Sequence, residues 1–142
     1  MKPKNICAEP INYNDLYHWN ATIWGPENTP YQGGVFFINI HFPCDYPFHS
    51  PRIRLLTKIF HPNISVEGSF CCCSMGFLYD QWSPALTVTN ILLIIYSLLA
   101  DKDLEEDCGF GNSEAKDLYL NNRAEYETRA KEWTKKYACL KD

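Results

Sequence analysis

The chain predicts an α+β domain, an antiparallel β-meander packed on a buried central helix with C-terminal helices behind it. Three observations carry this. Every-second-residue apolar patterning is confined to the first sixty residues, helical patterning to the last fifty or so, and the run "NILLIIYSLLA" between them is apolar almost all round. Strands first and helices afterwards is the order of an α+β fold. With 142 residues, 46% apolar and 21% charged, residues 1–142 fit a single domain around one hydrophobic core.

Taken in order, residues 1–14, "MKPKNICAEPINYN", show no periodicity and hold two prolines, so they read as an extended lead-in. The first strand is expected near Leu16. In "LYHWNATIWG", Tyr17, Trp19, Ala21 and Ile23 alternate with polar neighbours, the pattern of a half-buried strand rich in aromatic and β-branched residues. The turn formers of "GPENTPYQGG" follow. Residues 35–42, "VFFINIHF", and 52–60, "RIRLLTKIF", supply two more strands, separated by the proline-rich "PCDYPFHSP". Connections this short favour antiparallel neighbours.

Residues 61–84 offer neither period, and so long a loop in a small domain is a sign of function. Thr87 or Thr89 is placed to cap the apolar helix, which must then lie buried under the sheet. Ser113 opens another helix. After Asn121-Asn122 a last one sets Tyr126, Ala130, Trp133 and Tyr137 along one stripe, with Glu125/Arg129, Glu127/Lys131 and Glu132/Lys136 as supporting i,i+4 pairs.

Composition removes several function classes. No run approaches the roughly 18 to 20 apolar residues of a membrane span, and the first residues contain no apolar signal core. A cytoplasmic or nuclear location is expected, with no membrane partner. The net charge of −4 comes from 13 basic and 17 acidic residues, which argues against a nucleic-acid surface. That acidity is local: "DKDLEED" at 101–107 holds five acids and one lysine, and the rest of the chain balances.

Seven cysteines, at 7, 44, 71, 72, 73, 108 and 139, form no paired framework. Three of them stand together in "SFCCCS". Adjacent cysteines do not readily turn all their sulfurs to one tetrahedral zinc, and no Cys-x-x-Cys is present. A zinc site joining them to His61 is the weaker reading. No metal and no cofactor is expected, and count and spacing alone leave open whether one of the three is a nucleophile.

Several stretches coincide with one family: "HWNATIWGPENTPYQGGVFFINIHFPCDYPF", "IFHPNI", "GSFC", "QWSPALT" and "AKEWTKKYA". The chain resembles a ubiquitin-conjugating enzyme from about Leu16 to Tyr137, in the right order, and most resembles the small, promiscuous branch that is little more than a catalytic core. His-Pro-Asn, then Gly-Ser-x-Cys, then Trp-Ser-Pro is the specific part. The resemblance implies a transferase that takes ubiquitin, or a ubiquitin-like modifier, from an activating enzyme as a cysteine thioester. It then passes the modifier to a lysine of a substrate protein, usually with a RING- or HECT-type ligase.

It also implies roles. Cys71, eight residues after Asn63, matches the thioester-forming cysteine, with Cys73 as second choice. Asn63 matches the residue that steadies the loop and donates to the oxyanion, while His61 and Pro62 match the supporting loop. Glu106 falls at the acidic gate near the incoming lysine, with Asp103 and Asp107 close by. Phe48, Pro84 and Ala85 match the ligase-docking loops. Leu93 matches a position that packs on the tethered ubiquitin, or is a core residue if its face turns inward.

Three departures stand out. The family begins with a helix, and this chain begins about where that helix ends, so the first helix is expected to be missing. Trp82 comes eleven residues after Cys71, which places an insertion of about three residues beside the nucleophile. "DCGFGNSEAKD" replaces the usual proline-rich crossing. Alongside the enzyme, the sequence therefore leaves a second reading, a catalytically weak member that binds ligases or ubiquitin as a module.

Overall fold

In the computed structural model, residues 5–70, 82–83, 87–100 and 111–139 are described. Four strands, β1 (Ile6–Asn12), β2 (Asp15–Trp24), β3 (Val35–His41) and β4 (Arg52–Leu55), form one antiparallel sheet in the order β1-β2-β3-β4. Three helices follow, α1 (Val88–Ala100), α2 (Ser113–Asn121) and α3 (Arg123–Tyr137). The α+β meander is thus the observed architecture.

Alternation decides which face is buried. Ala21 and Ile23 of β2, Phe36, Ile38 and Ile40 of β3, and Leu55 of β4 point into the core, as the two-residue period of a strand requires. Beneath them lies α1, packed on β1 and β2, with Ile91, Leu92, Ile95, Leu98 and Leu99 buried. The expected central helix is therefore present, one face covered.

Two strand expectations need correction. The lead-in contains β1, which pairs with β2 from Ile6↔Ile23 to Asn12↔Asp15. Pro10 argues against a strand in the sequence, but β1 is an edge strand and its register shifts between Pro10 and Asn12, and edges and bulges are where a strand tolerates proline. Within 52–60, only Arg52–Leu55 is strand. Beyond it Thr57 Oγ1 accepts the Phe37 N–H at 2.9 Å, and the chain turns inward to bury Ile59 and Phe60.

Caps set the helix starts. Thr87, not Thr89, caps α1: its Oγ1 accepts from the Asn90 N–H at 3.2 Å while Asn90 Oδ1 accepts from the Thr87 N–H at 3.1 Å, a reciprocal box. Asn122 serves two helices. Its N–H donates to Leu118 O at the end of α2, and its side chain accepts from the Glu125 N–H to open α3. Along α3, Tyr126, Ala130 and Thr134 are buried, and Arg129 reaches Glu125 at 3.6 Å and also pairs with Glu114 of α2. Helix α3 ends against the sheet, where the Val35 N–H donates to Ala138 O at 2.8 Å.

Candidate active site

The stretch from Phe60 to Phe70 is irregular but tightly bonded. Its centre is the His61-Pro62-Asn63 turn, with His61 1% and Asn63 4% exposed. The Asn63 N–H donates to His61 Nδ1 at 3.0 Å. His61 Nε2 lies 3.3 Å from the carbonyl of Leu98 on α1, so the tautomer that satisfies both bonds carries its proton on Nε2 and donates it there. The imidazole thereby bolts the turn to the central helix.

From this turn the chain is laddered toward the cysteines. Ile64 bridges back to His61 and forward to Phe70, and the Ser65 N–H donates to Ser69 O at 2.9 Å. Gly68 presses on β4: it has φ of +94°, and an added Cβ would fall 2.0 Å from Leu55 O. Only glycine adopts that conformation at that distance without displacing backbone. The Leu55 N–H donates to Gly68 O at 3.0 Å in return. Phe70, 3% exposed, anchors the end of the ladder in the core. Cys71, the next residue, and Cys72 and Cys73 lie outside the described residues.

A buried phenol pair stands behind the turn. Tyr31 donates its hydroxyl proton to Phe60 O at 3.0 Å and meets the Tyr126 hydroxyl at 2.6 Å, an arrangement with one donor for each acceptor. Burial drives Tyr31 well above the usual phenol range, reinforced by the Tyr126 charge. Burial also pushes Tyr126 up to about 12. Both remain neutral hydrogen-bonding groups. The Tyr31 and His61 rings lie 5.8 Å apart, which puts "PYQGG" and His-Pro-Asn in one packed unit.

The far side of the turn is closed by the residues just before α2. Asn112 N–H donates to Pro62 O at 3.3 Å. Gly111, with φ of +110°, brings its backbone so close that an added Cβ would sit 2.3 Å from Pro62 O and 3.2 Å from Asn63 Cα. Glu106, Asp103 and Asp107 fall outside the described residues, but the chain emerging from the acidic segment rests on Asn63.

Of the residues expected to dock ligases, Phe48 is 74% exposed on a loop fixed from beneath. Its N–H donates to Asp45 O at 2.9 Å, the Tyr46–Pro47 peptide is cis, and Trp82 Nε1–H donates to Pro47 O at 2.8 Å. Pro84 and Ala85 lie outside the described residues. Leu93 is 38% exposed on α1, so its side chain turns outward, which removes the core reading. Sequence patterns do not reveal Phe70 as the anchor, the pairing of Tyr31 with Tyr126 or the Trp82 clasp; the isolated aromatics Tyr31, Phe70 and Trp82 in otherwise polar loops are their signal.

The chain belongs to the ubiquitin-conjugating enzyme family, whose model matches residues 1–134. A putative ubiquitin conjugating enzyme from Plasmodium yoelii is similar at 38% identity and a TM-score of 0.85, over 97% of this chain and 86% of that one. The E2 domain of a Toxoplasma gondii ubiquitin conjugating enzyme is similar at 36% identity and a TM-score of 0.84, over 94% of this chain and 88% of that one. The fold is that of this family's core, and its kind of chemistry is that of a conjugating transferase.

Proposed function

We propose that this chain accepts ubiquitin or a ubiquitin-like modifier from an activating enzyme as a thioester on Cys71 and transfers it to a substrate lysine. The observation that carries this reading is the ladder from His61 through Ile64 to Phe70, with Asn63 bonded to His61 at its start. It fixes the residue before Cys71 relative to Asn63, as a nucleophile and its oxyanion donor require.

In the transfer step the lysine nitrogen attacks the thioester carbonyl carbon, and a C–N bond forms as the carbonyl electrons move onto oxygen. Collapse breaks the C–S bond and releases the Cys71 thiolate, while the surplus ammonium proton passes to a carboxylate and on to water. Asn63 is assigned to the oxyanion and Glu106 to the lysine ammonium. Gly111, five residues past Glu106, packs on Asn63, which supports the pairing of these roles. His61 braces the turn; both of its ring nitrogens are engaged by backbone groups.

Ligases of the RING or HECT kind are assigned to the loop bearing Phe48, together with Pro84 and Ala85. An aromatic ring held out by a pre-formed loop is the makeup of an interface anchor. Leu93 is assigned to the tethered modifier. The same Phe48 geometry also serves the binding-module reading, in which partners are engaged without charging.

Charging separates the two. With activating enzyme, ATP and ubiquitin, the wild type is expected to form an adduct that dithiothreitol removes, Cys71→Ala to form none, and Cys73→Ala to charge normally. Ligase binding without any adduct at saturating activating enzyme selects the module.

A further inference from the structure

Away from the candidate active site, one end of the sheet's outer face gathers basic groups. His18 of β2 stands opposite His41 of β3, and His41 stands opposite Arg52 of β4, so the three form a row across strands about 4.8 Å apart. The rings of His18 and His41 stack, with centroids 4.3 Å apart and planes inclined by 22°. At one end of the row Asp15 Oδ2 accepts from His18 Nδ1–H at 2.7 Å, and that hydrogen bond holds the Asp15 carboxyl below its usual range. A groove of about 590 Å³ opens over the row, with Tyr17, Cys44 and Ser50 among its walls.

The charges do not close within the protein. Asp15 answers one cation at most, and among the described residues Arg52 has no ion-pair partner. Asp15 is engaged by His18, so the Arg52 guanidinium is left to face the groove beside the imidazole of His41. A cation is the wrong occupant: the guanidinium opposes it, and among the described residues no three His, Cys, Asp or Glu side chains are placed to hold a metal ion. An oxyanion of charge −2 is complementary, because Arg offers paired N–H donors to two oxygens and each imidazole adds one more.

We propose that this groove is a binding site for a tetrahedral dianion of the phosphomonoester class, held by Arg52, His41 and His18. The groups that line the groove with the histidines and set its charge are Asp15 and Tyr17 from β2, Cys44 from the loop between β3 and β4, and Arg52 from β4.

The full chain carries four histidines, so proton NMR of their ring Cε1–H signals reads the site with its own controls. Sodium phosphate, titrated at constant ionic strength, is expected to shift His18 and His41 saturably and leave His49 and His61 in place. Arg52→Ala should weaken this at least ten-fold, and Arg52→Lys should restore part of it. Sulfate, the same tetrahedral dianion, should give the same two shifts, and His41→Asn should weaken its binding. O-phosphoserine binding more tightly than inorganic phosphate assigns the ligand to a modified side chain, and equal binding assigns it to a free anion. Shifts matched by chloride at the same ionic strength, or unchanged in folded Arg52→Ala and His41→Asn, overturn the proposal.

Discussion

His61 and Asn63 are joined by a hydrogen bond from the Asn63 backbone N–H to His61 Nδ1 at 3.0 Å, while the opposite ring nitrogen faces Leu98 O on the central helix. The histidine therefore has a structural use for both nitrogens. His61→Ala removes two buried bonds and opens space beneath the turn, so a loss of about 2 to 4 kcal/mol is expected. Denaturant unfolding checks the size of the loss. Charging at low temperature, where the variant remains folded, should fall less than stability does.

The Tyr31–Tyr126 pair gives an asymmetric prediction. Tyr31→Phe leaves both Phe60 O and the Tyr126 hydroxyl without their partner and should cost about 2 kcal/mol. Tyr126→Phe leaves Tyr31 still donating to Phe60 O and should cost about 1 kcal/mol or less. Thermal melts of the two variants test the order.

The same pair predicts alkaline lability. Tyr126 has its folded pKa raised from 10.0 to about 12, so the folded state holds this proton more tightly than the unfolded chain does. Its contribution is complete below pH 10 and is lost as pH rises toward 12, with a slope approaching about 1.4 kcal/mol for each step of one in pH. Stability measured from pH 9 to pH 12 should fall across that window, and Tyr126→Phe should flatten the part due to this residue.

Neighbours on α1 should separate stability from function. Leu92 is buried and Leu93 is not. Leu92→Ala is expected to cost about 2 to 5 kcal/mol; Leu93→Ala should cost under about 1 kcal/mol. If Leu93 packs on the tethered modifier, its variant should charge normally and discharge to lysine several-fold more slowly, as followed in a single-turnover chase.

Phe48→Ala removes an exposed ring and should leave the melting temperature almost unchanged while weakening ligase binding by ten-fold or more. Thermal melts check the first effect and titration calorimetry with a ligase domain the second. Binding that ignores the substitution would move the docking surface elsewhere.

The parts read well from sequence are those with a period. Trp19, Ala21 and Ile23 declare β2, the apolar run declares α1, and the Asn121-Asn122 joint marks where α2 hands over to α3. Strand β1 is hidden because Pro10 counts as a breaker until the edge position and bulge that accommodate it are known. The end of β4 is hidden because Ile59 and Phe60 are as apolar as a strand yet bury themselves in a loop. In the candidate site, His61, Pro62 and Asn63 are legible as a motif. Their fixing partners, the Leu98 carbonyl and Gly111, belong to distant segments and exert no local pattern.

Cys71 is assigned as the carrier of the modifier, and the fate of Cys71→Ser under charging conditions tests that assignment most directly. Serine oxygen in place of sulfur should yield a ubiquitin ester that survives dithiothreitol, and peptide mass spectrometry should place it on residue 71. A wild-type adduct mapped to Cys72 or Cys73, or no adduct with saturating activating enzyme, would contradict it.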